Sequence, residues 1–182
     1  MADLRLHLDA DALARRFAAM AGSLEGFVPF LRAAGRHLLD SLEHRFATES
    51  GPDGRKWPQS LAARCEGRQT LTKTGRLRRS FRTRIGPNGL TLGTTVPYAP
   101  THQFGAVIHA NTSAGLRFRI CSSGPLYHKQ SVRIPPRPFL GIDDDDRHAL
   151  AAMFSNHVAA ALGRADGRER PPVLPFAGGP LP

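Results

Sequence analysis

The sequence predicts an α+β domain, a small and mostly antiparallel sheet packed with N-terminal and C-terminal helices. Three observations carry this. A long amphipathic stripe runs from about Phe27 to Thr48, short alternating segments fill residues 82–134, and a second amphipathic stretch follows Asp143. With 182 residues, 15 prolines and 18 glycines, one domain with a real core and many loops is expected.

In chain order, Leu4–Leu8 alternate apolar and charged residues, as a short edge strand or the entry to a helix would. Residues Asp11–Met20 follow a helical pattern with Leu13, Phe17 and Met20 on one face, and Gly22 and Gly26 end it. The second helix carries Phe27, Phe30, Leu31, Ala34, Leu38, Leu42 and Phe46 at three- and four-residue steps, a core or interface stripe. It stops at Gly51-Pro52-Asp53-Gly54. Trp57-Pro58 then suggests a loop anchored by its indole, the alternative being an exposed contact, and Ser60–Thr72 lacks a period and is expected to be irregular.

The middle of the chain is expected to supply four to five strands. Leu77 and Phe81 face inward from a short helix, Arg82 and Arg84 share one sheet face, and Pro87-Asn88-Gly89 turns the chain into a return strand bearing Leu90 and Leu92. Ala106–Ala110 and Leu116–Cys121 are expected to pair as a second hairpin around Asn111–Gly115. Ser122–Gln130 reads as a loop, and Val132 and Ile134 as one more strand before the Pro135–Pro138 run. Four aspartates, Asp143–Asp146, open the last helix, with Asp143 placed to cap it. The domain is expected to span 1–163, and residues 164–182 form a Pro/Gly-rich tail expected to be flexible.

Between the first hairpin and the second lies Gly93–Gly105, dense in Gly, Pro and aromatic residues. Pro97 and Pro100 forbid a regular ladder there, so the stretch is either a functional loop or a rigid corner.

The net charge is +10, and 22 of the 25 basic residues are arginine, the side chain suited to forked contacts with phosphate or carboxylate. Eight basic residues, Arg64, Arg68, Lys73, Arg76, Arg78, Arg79, Arg82 and Arg84, stand against the single acid Glu66. They suit either a subunit interface or sequence-independent contact with nucleic acid, although no reading helix, zinc finger or stacking platform accompanies them. Nothing marks an enzyme: there is no nucleophile elbow and no phosphate loop. No metal spacing is present among His102, His109 and His128, and acids in the first turn of a helix are expected without a metal. No cofactor is expected. Cys65 and Cys121 are expected to be two unpaired thiols in a reducing compartment, a disulfide between them being the less favoured alternative. No apolar run approaches a membrane span, so no membrane partner is expected.

Three segments taken together resemble the phage virion morphogenesis family, the tail-completion proteins of Mu-like and related tailed phages. They are Trp57-Pro58 with Leu71–Phe81, Gly93–Gly105 containing Tyr98-Ala99 and His102-Gln103-Phe104, and Ile134–Gly141 with Asp143 and the helix after it. The likeness covers roughly residues 25–163; Gln59-Ser60-Leu61 and the tail depart from it.

The resemblance implies a structural, non-enzymatic virion protein that completes the tail and joins it to the head at the neck. It implies a homo-oligomeric ring, hexameric to match the tail tube, contacting other neck and tail proteins, assembled in the host cytoplasm and lying around the DNA channel. Arg64–Arg84 and the acidic Asp143 and Asp144 are then candidates for the interface or the channel, with non-specific DNA contact. Trp57, Tyr98, His102, Gln103, Phe104, Arg137 and Phe139 are expected to form a rigid corner, with Tyr98 and Phe104 pinning it. A sequence-independent DNA-binding protein using the arginine-rich patch is the alternative.

Overall fold

The computed structural model describes residues 4–9, 24–121 and 123–165. The helices are α1 (Val28–Thr48, entered by a 3-10 turn at Leu24–Phe27), α2 (Leu61–Cys65), α3 (Ala99–Phe104) and α4 (Asp144–Ala165). The strands are β1 (Leu4–Asp9), β2 (Arg82–Gly86), β3 (Gly89–Thr94), β4 (Ala106–His109), β5 (Leu116–Arg119), β6 (Leu126–Lys129) and β7 (Ser131–Ile134). The class is α+β.

No sheet reaches the four to five strands expected. The largest has three, in the order β1-β3-β2, and two-stranded ladders join β4 to β7 and β5 to β6, all antiparallel. The expected pairing of 106–110 with 116–121 is replaced by a nested ribbon. β4 reaches past the inner hairpin to β7, and the supposed loop at 122–130 contains β6. Local alternation shows which segments are extended, but the partner depends on register across the intervening chain. Leu4–Asp9 takes the strand alternative and lines the edge of β3. The helix expected over Asp11–Met20 and the tail from 166 lie outside the described residues.

The α1 stripe is the centre of the core. Phe30, Leu31, Ala34, Leu38, Leu42 and Phe46 are buried on it, and it packs against β2, β3 and α4. Leu90 and Leu92 of β3 face it, 1% and 3% exposed. Gly35 sits at the closest approach: a Cβ there would stand 3.3 Å from both Leu90 and Thr83. At the C-terminal end of α1, Phe46, Phe81 and Phe139 form a mutually packed triad with centroids 5.5–6.1 Å apart, and Trp57 meets Phe46 edge-on at 5.4 Å. At the other end Phe27 and Phe30 pack on Phe154 of α4.

The 60–72 segment is not wholly irregular. Ser60 caps α2 by accepting from Ala63 N–H at 3.1 Å. The helix carries Cys65, and Cys65 is bonded to Cys121 at the tip of the ribbon, with their Cα atoms 6.0 Å apart. The expectation of two free thiols therefore fails. The two residues are 56 positions apart in the chain, and only the fold-back of the β5–β6 hairpin toward α2 brings them together.

Candidate interaction surfaces

The densest polar construction in the molecule surrounds the strap Pro135–Gly141. Gln103 of α3 treats it as a neighbouring strand: its Oε1 accepts from Phe139 N–H and Leu140 N–H at 3.0 Å, and its Nε2 donates to Leu140 O at 2.9 Å. Trp57 Nε1 donates to Pro138 O at 2.8 Å. Arg137 N–H donates to His102 O, and its guanidinium Nε donates to Pro58 O, both at 2.7 Å. Phe139 is fully buried beneath these bonds. The strap is rich in proline and cannot make a ladder, so side chains satisfy its carbonyls and its few amides.

The strap leads into α4 through a cluster that includes two residues absent from the sequence-based candidates, Arg45 and His37. Arg45, 4% exposed, continues the α1 stripe one turn past Leu42. Its Nη1 donates to Phe139 O and Gly141 O at 3.2 and 2.8 Å, and its Nη2 to Asp143 Oδ2 and Asp146 Oδ2 at 2.7 and 2.5 Å. Asp146 is 1% exposed, and its Oδ1 lies 2.9 Å from His37 Nε2. Asp143 caps α4, accepting from Asp146 N–H at 2.7 Å. The available sequence signal was an arginine on an otherwise apolar helical stripe, which needs a buried acid to be tolerated.

Electrostatics follow from these contacts. Burial works to raise the Asp143 pKa, but hydrogen bonds from Arg45 and from the Asp146 backbone, with the guanidinium charge, outweigh it and hold the group below its ordinary value. His102 is held below its ordinary value by burial and then by the Arg137 charge. Its Nδ1 is buried without a hydrogen-bond partner.

The expected corner is thus assembled from Trp57, His102, Gln103, Arg137 and Phe139. Tyr98 and Phe104 do not pin it; they are 38% and 69% exposed. Helical geometry explains the difference. Ala99 and Gln103, four residues apart on α3, both turn inward, which carries Phe104 about 100° further round and into solvent. Val107 and Ile108 on β4 are exposed as well, and as consecutive strand residues they present apolar side chains on the two opposite faces of the ribbon.

The charged candidates divide as well. The four aspartates are not one acidic patch, because Asp143 and Asp146 turn inward while Asp144 stays outside and pairs with Arg147. Arg68 and Lys73 bind Glu66 at 2.6 and 3.3 Å, and Arg78 binds Glu43. Arg79 donates to Thr74 O over Gly75, and Arg64 and Arg76 are exposed. Arg82 and Arg84 stand together on the exposed face of β2. Among the described residues no three His, Cys, Asp or Glu side chains are grouped to hold a metal ion. No described helix is long and apolar enough to cross a membrane.

The strap is locked from several sides, and most of its polar atoms are committed to neighbouring segments. Residues 8–159 match the phage virion morphogenesis family over most of the chain, and the protein belongs to that family. Its role is therefore in building the virion, and it is a virion-associated protein. No curated protein and no solved structure matches the chain.

Proposed function

We propose that this chain acts in tail completion, joining head to tail at the neck as a non-enzymatic subunit of a hexameric ring around the DNA channel, assembled in the host cytoplasm. Membership of a structural virion family supports the reading. The observation that carries the oligomeric part is the exposure of three large apolar side chains, Phe104, Val107 and Ile108, by 69%, 52% and 42%, next to a strap held by side chains of several elements. Exposed apolar side chains on a firm support are what a subunit or neck-protein contact requires. A ring needs a heterologous interface, with Phe104 and one face of β4 in one copy meeting a different surface of the next.

Light scattering and negative-stain imaging of the purified chain test this. The wild type is expected to form closed rings, and Phe104→Asp with Val107→Asp to give folded protein that fails to close them. Phage lacking the protein should accumulate filled heads and separate tails. Monomers at every concentration would overturn the ring, and normal joining in the absence of the protein would overturn tail completion.

A further inference from the structure

α1 packs on one face of the β1-β3-β2 sheet, and among the described residues the opposite face carries the exposed Arg5, Arg82 and Arg84 and the half-buried Thr91 and Gly93. Residues that pair across an antiparallel sheet share a face, so the register places Arg5, Gly93 and Arg82 in one row and His7, Thr91 and Arg84 in the next. A third row is Asp9, Gly89 and Gly86. The central strand thus contributes only small side chains, and the arginines stand on the two outer strands.

The result is a trough of about 570 Å³, walled by Arg5 on one side and Arg82 and Arg84 on the other, with Thr91, Thr95 and Asn88 along it. Strand spacing puts the backbones of β1 and β2 about 10 Å apart, and the Arg5 side chain leans over the central strand, its Cγ 2.9 Å from where a Cβ on Gly93 would stand. Arg82 Nη1 donates to Phe81 O and Arg79 O, which fixes where its guanidinium stands. Arg5 is the member that the basic run at 64–84 does not reveal; it arrives from the other end of the chain through the β1–β3 pairing.

We propose that this trough binds the phosphodiester backbone of double-stranded DNA without sequence preference. Three features favour a phosphate ligand. The guanidinium groups of Arg82 and Arg84 can fork onto phosphate oxygens, with the Asn88 and Thr95 side chains as further donors. Pro87 apart, no apolar side chain lines the trough, whereas a protein partner would seek an apolar anchor. The surrounding chain has the matching charge: residues 67–142 contain twelve Lys and Arg and no Asp or Glu. Among the described strand residues, the register puts Asp9 at the far end of this face. The base edges are out of reach of a flat sheet face carrying so few long side chains, so the binding reads charge and spacing only.

The test is a salt titration of labelled duplex DNA of random sequence against the full chain, comparing wild type with Arg82→Gln/Arg84→Gln and Arg82→Lys/Arg84→Lys. Removing two phosphate contacts should flatten the salt dependence, so the Gln variant loses about tenfold less affinity than wild type between 50 and 200 mM salt while binding more weakly at 50 mM. The Lys variant should keep the wild-type slope. Both positions are exposed, so unchanged circular dichroism and thermal midpoints are expected to accompany the loss. Equal affinity and slope in all three proteins, or a wild type that does not bind DNA, would overturn the proposal. So would polyglutamate competing as well as DNA of equal charge, which would make the trough a site for an acidic protein. DNA binding by the separate chain does not require a ring, so its failure would leave the tail-completion reading standing.

Discussion

Arg45 shows how much depends on a single side chain. One guanidinium joins the end of α1, two carbonyls of the strap and two carboxylates at the start of α4. Its own Nε has no partner, so the four bonds from the two terminal nitrogens must compensate for a charge removed from water. Arg45→Met keeps the length and apolar stem but leaves Asp146 buried without its cation, which should cost about 3–5 kcal/mol. Urea denaturation would measure it, and a loss under 1 kcal/mol would show that His37 and the helix terminus are sufficient partners for Asp146. Gln103 is the neutral counterpart. It reproduces the hydrogen bonds of a peptide group against a segment in which proline prevents a real strand.

Among the elements, the ribbon β4–β7 is the least supported by the core. Two-stranded ladders are marginal in water without further packing, and β4 has three of its four residues exposed. The Cys65–Cys121 bond compensates by tying the tip to α2, closing a loop across 56 positions of sequence. By the loop-closure argument this should stabilise the protein by about 4 kcal/mol. Reduction, or Cys121→Ser, should therefore lower the thermal midpoint by a comparable amount, and hydrogen exchange should speed up in β5 and β6 before it does in α1 and β3. Identical midpoints with and without reductant would mean that the bond contributes nothing to the folded state. The α4 cap is an independent device: Asp143 holds the Asp146 amide while its other oxygen takes the arginine.

At the scale of the whole molecule, the strap cluster makes stability depend on pH in one direction. Asp143 has a folded pKa below its unfolded value, so its contribution is complete above about 4 and is lost as pH falls through the folded value. His102 also has a lowered folded pKa, because burial and Arg137 disfavour the cation; its contribution is complete above about 6.5 and is lost as pH falls through its own folded value. Both signs agree, so unfolding free energy should drop in two stages on acidification, His102 first. His102→Gln should flatten the upper stage and leave the lower one. A stability profile level from pH 7 to pH 3 would contradict both assignments. His102 shares α3 with the exposed Phe104, so ring assembly should weaken with the first stage.

Patterns set by neighbours in the chain were legible without coordinates: the α1 stripe, the Leu77–Leu92 hairpin and the cap at Asp143. These depend on 3.6- and 2-residue periods, turn chemistry and local hydrogen bonding, which act over a few residues. The family likeness belongs with them, because it too rests on short ordered motifs. Partnerships between distant segments were decided only by the tertiary structure. β4 chose β7 over β5, Cys65 found Cys121, Arg45 found Asp143 and Asp146, and Arg5 joined Arg82 and Arg84. Each pairing depends on register and on which face a close-packed core leaves outside, and neither is encoded in any local window. The same core decided that Phe104 should face water while Gln103, one residue earlier, holds the strap.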